Sequence, residues 1–133
     1  MNSYLFEVDN VQNELGFLGF LENGKIPFDV RRCYYLTGVD EKTRRGLHGH
    51  LKLQQILIAP IGSFEVKVIN KYGENNYVLD KPNVGLYIPE MSWRELSNFS
   101  KPSCCLVLAS EVYEENDYVH DFKLFTRMID SQT

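Results

Sequence analysis

Residues 44–55 read RRGLHGHLKLQQ and contain two of the chain's three histidines, His48 and His50. Alternate residues of an extended strand point to the same face of a sheet. We therefore expect the two imidazoles to lie side by side, with Lys52 next along that face. Paired histidines among cationic side chains indicate proton transfer or anion binding. The stretch alone leaves open whether the pair holds a metal, moves protons or packs.

Short apolar runs recur between turn residues outside this stretch. We predict strands over 15–21, 28–36, 47–59, 64–70, 77–79, 84–88, 93–96 and 104–109, with turns or loops at 22–25, 38–43, 60–63 and 71–76. About nine short strands at this spacing indicate an all-β structure that is closed or built from two sheets. In residues 114–129, the near-helical spacing of Tyr118, Phe122, Phe125 and Met128 predicts a C-terminal helix.

Length, charge and cysteine content narrow the class of protein. At 133 residues we expect one domain, 1–133, and a net charge of -4 argues against non-specific nucleic-acid binding. The three cysteines, Cys33, Cys104 and Cys105, form no disulfide framework, so we expect a cytoplasmic protein in which they pack as small buried side chains. No signal peptide is visible, and no apolar run reaches the roughly 20 residues that span a bilayer, so we expect no membrane partner.

The spacing around the histidines resembles that of the cupin barrels. Those proteins bind a metal through His-x-His on one strand, a carboxylate soon after it and a third His on a later strand. Here the carboxylate position falls on Gln54 or Gln55, with six residues between Gln55 and Gly62, and the third His position falls on Arg94, followed by Asn98. The resemblance implies a jelly-roll β-barrel of about nine or more short antiparallel strands with one C-terminal helix.

Two of the four cupin ligands are changed, which argues against a metal. Gln55 would be a weak neutral ligand, and Arg94 is a permanent cation that cannot ligate. A catalytic metal usually has about three protein ligands. We therefore expect no metal and no other cofactor, with Arg94 in the electrostatic role that a metal would have had.

Five motifs in order narrow the resemblance to the nucleotide-sugar 3,4-ketoisomerases, the small cupins that act on dTDP-4-keto-6-deoxyglucose. They are residues 26–35, Arg45-Gly46-x-His48-x-His50, residues 84–88, Trp93-Arg94-Glu95, and residues 106–110 followed by Tyr113-x-Glu115-x-Asp117-Tyr118. The match covers the chain from about Leu15. It implies a homodimer with exchanged N-terminal strands, no metal, and a product that is then aminated at C3 for surface glycans.

The sequence departs from this family at a few positions. Leu51 stands where a Lys is usual, and Gln54 where an acidic residue or His is common. Members of the family carry Arg or Tyr at the position of Leu15, and only part of the family shares Arg94. The last two positions are associated with the sugar end of the site, so both C4 epimers of the product stay open.

Moving a ketone from C4 to C3 requires a base and a stabilised enediolate. His titrates near neutrality, so His48 and His50 are the candidate catalytic residues. A fixed cation stabilises the enediolate, with Arg94 as the first candidate and Arg32 as the second. The remaining candidate substrate-binding residues are Arg45 and Lys52 for the diphosphate, Tyr34 for the sugar or a histidine, and Gln55.

Several alternatives remain beside this hypothesis. The chain could be a 3,5-epimerase of the same sugar, a family with a His paired to Asp and a late Tyr acid, which the sequence does not reveal here. It could be a non-catalytic sugar-binding cupin, or a metal cupin dioxygenase, which Gln55 and Arg94 disfavour. We expect Arg44 to be solvated, His120 to be a surface residue of the C-terminal helix, and Trp93 to belong to the core or a dimer contact.

Overall fold

The computed structural model describes residues 1–132 of the chain. Its strands are β1 (Tyr4–Glu7), β2 (Asp9–Asn13), β3 (Gly16–Phe20), β4 (Arg32–Thr37), β5 (Arg45–His50), β6 (Gln55–Ile61), β7 (Phe64–Asn70), β8 (Gly73–Leu79), β9 (Val84–Ile88), β10 (Ser92–Ser97), β11 (Cys104–Ala109) and β12 (Tyr118–Val119). A 3-10 helix, Glu115–Asp117, precedes β12, and the helix α1, Phe122–Asp130, follows it.

Two five-stranded antiparallel sheets build the barrel. Their orders are β1-β9-β6-β11-β4 and β12-β5-β10-β7-β8, and β2 pairs with β3 as a separate hairpin. The main core lies between the sheets, where Leu57, Leu86 and Val107 of the first sheet pack with Val66 and Leu96 of the second. The predicted all-β barrel with one C-terminal helix is confirmed, with twelve strands in the described residues.

Strand β6 is apolar along most of its length because both of its faces are covered. Leu57 belongs to the main core, whereas Ile56 and Ile58 point outward and pack with Val8 and Phe28. A strand that is buried on both faces loses the apolar–polar alternation of a half-exposed strand. The segment before β4 and the chain around Val8 therefore act as an outer layer over this sheet.

The predicted continuous segment 47–59 is wrong, because the structure breaks it into β5 and β6. The chain leaves the second sheet after His50 and enters the first sheet at Gln55. In the break, the backbone N–H groups of Lys52 and Leu53 donate to the carboxylate of Asp117, at 2.7 and 3.3 Å. These bonds replace ladder bonds that a continuous strand would have made.

Other boundaries also differ from the prediction. Strands β1 and β2 were not predicted, because their sequences mix polar and apolar residues. Residues 28–31 precede β4 rather than belong to it, and the loop before β8 contains only Lys71 and Tyr72. Gly73, the first residue of β8, has a φ of 109°, which a residue with a side chain rarely adopts.

The C-terminal helix is shorter than the predicted 114–129. Residues Glu115–Asp117 form a 3-10 turn, and Tyr118 lies on β12 opposite His50. The helix α1 begins after Asp121, whose side chain accepts a hydrogen bond from the Leu124 N–H at 3.1 Å. Tyr118 and His120 consequently lie outside the helix, which places them beside the histidine pair.

The helix α1 packs on the outer face of β5. Phe125 and Ile129 are buried against Trp93, so Trp93 belongs to a satellite core, as predicted. A Cβ at Gly49 would lie 2.5 Å from the Phe125 ring. Glycine at this position therefore allows the helix to approach the strand that carries His48 and His50.

The described cysteines are all free thiols. Cys105 is buried and Cys104 is half-buried, whereas Cys33 is exposed on the edge strand β4. The prediction that all three would be buried is therefore wrong for Cys33, which lies on the outward-facing side of its strand. Among residues 1–132, no helix has both the length and the apolar character to cross a membrane.

Candidate active site

A cavity of about 250 Å³ lies inside the barrel, between the two sheets. Its lining comes from both sheets and the segment before α1: Arg32, Tyr34, Leu36, Arg45, Gly46, His48, Gln55, Leu57, Arg94, Leu96, Val107 and Tyr118. Most of the candidate residues lie on this wall, although their strands are far apart in sequence. His50 lies next to the wall and Lys52 does not reach it.

His48 and His50 project from the same face of β5, as strand alternation predicts. Their ring centroids are 4.7 Å apart and the rings are nearly perpendicular. Arg94 and Ser92 of β10 lie opposite His48 and His50 in the strand register. The pairing of β5 with β10 therefore brings Arg94 to the two imidazoles.

Asp117 fixes the orientation of His50. Its Oδ2 lies 3.1 Å from Nδ1 of His50, while its carboxylate also accepts the N–H groups of Lys52 and Leu53. A carboxylate at Nδ1 favours the tautomer that carries its proton there, which leaves Nε2 as the basic nitrogen. Nε2 of His50 is buried and has no hydrogen-bond partner among residues 1–132.

Both histidines favour the neutral form. Burial, followed by the charge of Arg94, lowers the pKa of His48 to about 3. The same two causes, in the same order, lower the pKa of His50 far below its ordinary value. At neutral pH both imidazoles can therefore accept a proton.

Arg94 is a buried cation inside the barrel. Only 2% of the residue is exposed; its Nη2 donates to the Ser92 carbonyl at 2.8 Å, and its Nη1 donates to Oε1 of Gln55. Burial lowers the pKa of Arg94 to about 10, so the guanidinium stays charged at neutral pH. Its Nε is buried without a partner in the described residues. The fixed positive charge can stabilise an anion in the cavity.

The donor set does not suit a metal ion. The Gln55 carbonyl oxygen is engaged by Arg94, and a permanent cation occupies the third-ligand position. No cluster of three or more His, Cys, Asp or Glu side chains in residues 1–132 could hold a metal. The side chains of the cavity, rather than a metal ion, are therefore the groups available for chemistry here.

Strand β4 presents Arg32 and Tyr34 to the cavity, whereas Tyr35 is 67% exposed. The Arg32 guanidinium carbon lies 4.9 Å from the Tyr34 ring centroid and 5.7 Å from that of Tyr113. The Tyr34 hydroxyl accepts a hydrogen bond from Nε2 of Gln55 at 2.9 Å. Burial raises the pKa of Tyr34, so its hydroxyl stays protonated at neutral pH and can donate to a bound oxygen.

Residues 44–55 contain three cationic side chains, Arg44, Arg45 and Lys52, and of these Arg45 lines the cavity. Arg44 is exposed and pairs with Glu95, in agreement with its predicted solvation. The expectation that Lys52 continues the face of His48 and His50 is wrong. Because β5 ends at His50, Lys52 turns away and lines a separate cleft with residues such as Arg31, Glu111 and Glu114.

Three residues beside the histidine pair were not recognised from the sequence as part of the site. They are Asp117; Tyr118, whose ring centroid lies 4.9 Å from that of His48 and 4.3 Å from that of His50; and His120, 6.0 Å from His48. His120 is 64% exposed, so it is a surface residue as predicted, but it precedes the helix. The motif Tyr113-x-Glu115-x-Asp117-Tyr118 was the available signal.

The expectation that this chain lacks the His–Asp pair of the 3,5-epimerases is wrong. His50 pairs with Asp117, and Tyr118 is a late tyrosine beside both histidines. The sequence does not reveal this pair because 67 residues separate His50 from Asp117. The distinction between the two reactions must come from other observations.

Comparison with known proteins provides such observations. A curated relative, the TDP-4-oxo-6-deoxy-alpha-D-glucose-3,4-oxoisomerase of Aneurinibacillus thermoaerophilus, is 37% identical over 108 residues, which cover 81% of this chain and 78% of the relative. A mutant of the 3,4-ketoisomerase QdtA from Thermoanaerobacterium thermosaccharolyticum, in complex with TDP-4-keto-6-deoxyglucose, has a TM-score of 0.94 and 36% identity, covering 98% of this chain and 96% of its own.

Two further comparisons bear on the family and the fold. A 3,4-ketoisomerase from Helicobacter canadensis has a TM-score of 0.92 and 37% identity over 98% of both chains. The Mycobacterium tuberculosis rmlC epimerase, at 16% identity and a TM-score of 0.75, shares the fold alone. Residues 1–130 match the family described as "FdtA: WxcM-like, C-terminal". The chain therefore belongs to the FdtA family, and its resemblance to the sugar 3,4-ketoisomerases is confirmed.

Proposed function

We propose that this chain is a sugar 3,4-ketoisomerase that converts dTDP-4-keto-6-deoxy-D-glucose to a dTDP-3-keto-6-deoxyhexose. The relatives named for this reaction, at 36–37% identity, support the substrate and the reaction class. The observation that carries the mechanism is the cavity in which the neutral imidazoles of His48 and His50 lie beside the buried guanidinium of Arg94. A base beside a fixed cation is what an enediolate intermediate requires.

The proposed reaction moves two hydrogens and no net electrons. A histidine removes the proton from C3, the C–H electron pair forms the C3–C4 double bond, and the C4 carbonyl oxygen becomes anionic. The O3 hydroxyl then loses its proton, C4 receives one proton and the anionic O4 receives another, which leaves a ketone at C3 and a hydroxyl at C4. We assign His48 and His50 to these transfers, with Nε2 of His50 as the basic atom that Asp117 prepares.

The other cavity residues bind and orient the substrate in this proposal. Arg94 stabilises the enediolate oxygens, with Arg32 as the second cation, and Tyr34 donates its hydroxyl proton to a sugar oxygen. Gln55 holds both Arg94 and Tyr34 in place through its amide. Arg45, exposed at the cavity wall, is assigned to the diphosphate.

We also propose that the chain, as one domain over residues 1–133, forms a homodimer with exchanged N-terminal strands. In support, the β2–β3 hairpin exposes apolar side chains: Val11 is 55% exposed, Leu18 59% and Leu15 90%. A second copy would cover this apolar surface. Within one chain β1 pairs with β9 from Tyr4 to Glu7, so exchange would place the partner's strand in that register. Sedimentation of the purified protein tests the dimer.

The cellular setting is part of the same proposal. A cytoplasmic enzyme would receive the nucleotide sugar from a dehydrating step and pass a C3 ketone to an aminating enzyme that serves surface glycans. A ketone at C3 is the group that such amination needs. Neither metal nor any other cofactor is required by the proposed proton transfers, so turnover should survive exhaustive chelation.

One NMR experiment tests the proposed function. Purified protein is incubated with dTDP-4-keto-6-deoxyglucose in D₂O, and the product is followed by proton and carbon spectra. A ketone at C3 with deuterium at C4 supports ketoisomerisation, and the coupling at C4 identifies the epimer. Deuterium at C5 would instead support the 3,5-epimerase, for which the His50–Asp117 pair and Tyr118 are the favouring observation. Unchanged substrate would indicate a binding module.

A further inference from the structure

The three histidines of the chain form one row from the barrel interior to the surface. The His50 side chain is fully buried, His48 is half-buried, and His120 is 64% exposed. The ring centroids of His50 and His48 are 4.7 Å apart, and those of His48 and His120 are 6.0 Å apart. A separation of 6.0 Å between two imidazole centroids leaves room for direct contact or one bridging water.

Two neighbours hold His120 at the end of this row. Its ring stacks on Tyr118 at 5.7 Å between centroids and 16° between planes, and its Nε2 lies 3.8 Å from Oε1 of Glu115. Tyr118 belongs to β12, which pairs with β5, so the same strand pairing fixes His120 beside His48. The side chain is therefore placed by the fold although it is exposed.

His120 does not line the cavity, so its position does not serve direct contact with the sugar. The inner end of the row is closed to water, because His50 is fully buried and its Nδ1 is held by Asp117. A proton taken up by either inner imidazole must leave before the next turnover if the other imidazole supplied the proton to C4. The row leads from these imidazoles to the exposed side chain of His120, which lies outside the cavity.

We propose that His120 carries protons between His48 and solvent and so resets the histidine pair between turnovers. The imidazolium of His48 gives its proton to the free nitrogen of His120, directly or through one water, and His120 gives a proton to solvent or buffer; the reverse steps bring a proton in. No electrons move. His120 is then a relay residue rather than a catalytic residue in contact with substrate, and this inference rests on the proposed ketoisomerase function.

Substrate labelled with deuterium at C3 tests the relay in H₂O. The variant His120→Gln keeps an exposed polar side chain, so it should fold, and Lys123→Gln in the same exposed segment is the matched control. In the wild type, label should be lost to solvent during turnover. In His120→Gln, a larger fraction should be retained at C4 of the product, and kcat should fall by roughly ten- to a hundredfold, near the lower limit for a positioned acid–base group.

Rescue by added imidazole distinguishes a relay from a structural role, because imidazole would not restore activity that was lost through a structural defect. A small diffusible base should restore both kcat and label loss to His120→Gln in proportion to its concentration, with little effect on the wild type or on Lys123→Gln. Equal label loss in wild type and His120→Gln, or a fall in kcat that imidazole does not reverse, would overturn the relay. If wild-type protein does not isomerise the sugar at all, the proposed function fails instead.

Discussion

Nδ1 of His50 lies 3.1 Å from Oδ2 of Asp117, and the same carboxylate binds two backbone N–H groups of the loop that follows β5. One buried side chain thus orients the candidate base and also shapes the crossing of the chain from one sheet to the other. The carboxylate is therefore held rigidly, because loop and histidine both depend on its position.

Asp117→Asn should lower kcat by roughly 10²-fold or more, because the amide can donate to Nδ1 and so favour the tautomer with its proton on Nε2. KM should change little, since Asp117 does not line the cavity. Steady-state kinetics on the folded variant measure the split between kcat and KM. A kcat within threefold of the wild type would show that the tautomer of His50 does not matter.

His48→Asn and His50→Asn should each reduce turnover by roughly 10²–10⁴-fold, the usual contribution of a positioned acid–base group. Both side chains lie on β5, and neither belongs to the main core, so the variants should fold. Circular dichroism can check this. Label exchange at C3 without product formation separates the two roles. The variant that still exchanges retains the initiating base, whereas near-normal rates in both variants would refute proton transfer by the pair.

Arg94→Met should lower kcat strongly while leaving stability close to that of the wild type. The guanidinium is a desolvated cation with no carboxylate bonded to it in the described residues, and replacing a buried charge by an apolar side chain of similar size is often neutral or stabilising. The loss of enediolate stabilisation should cost roughly 10²–10³-fold in kcat. Thermal melting and kcat measured together check the prediction. A large loss of stability with retained activity would contradict it.

The sequence predicts well those strands in which the apolar pattern begins and ends at the same positions as the flanking turn residues. The bounds of β7, β9 and β11 match the predicted 64–70, 84–88 and 104–109, because apolar residues alternate or run together between Pro and Gly turns. The His48 and His50 side chains face one way because strand alternation is a local property. The inward placement of Tyr34 and the outward placement of Tyr35 needed the register of β4 with β11, which no local pattern supplies.

The errors share a different cause, which is a contact with a distant part of the chain. Strand alternation predicts Lys52 on the face of the histidines, but the strand ends at His50, where the backbone of Lys52 binds Asp117 instead. The spacing of Tyr118 to Phe122 predicts a helix, yet Tyr118 pairs with His50 and so belongs to a strand. In both cases a tertiary hydrogen bond or ladder overrides a local periodicity, at the site where function is proposed.

Acid should destabilise the fold through the buried histidines. The pKa of His48 falls from 6.5 to about 3 on folding, so between these values the unfolded chain binds more protons than the folded chain. Stability is thus fully present above pH 6.5 and is lost as pH falls toward 3, by up to about 1.4 kcal/mol per pH unit for one such group.

The variant His48→Gln separates the loss of stability that His48 causes in acid from the loss caused by protonation of Asp and Glu side chains. His48→Gln cannot titrate, so its free energy of unfolding, measured by urea denaturation, should decline less than that of the wild type between pH 7 and pH 5. Lys123 is exposed and is no neighbour of His48 in this titration, so Lys123→Gln should follow the wild-type curve and serves as the control. Parallel curves for wild type and His48→Gln would mean that His48 is not held neutral by the fold. In that case part of the His48 population would be protonated near neutrality and unable to accept the proton from C3.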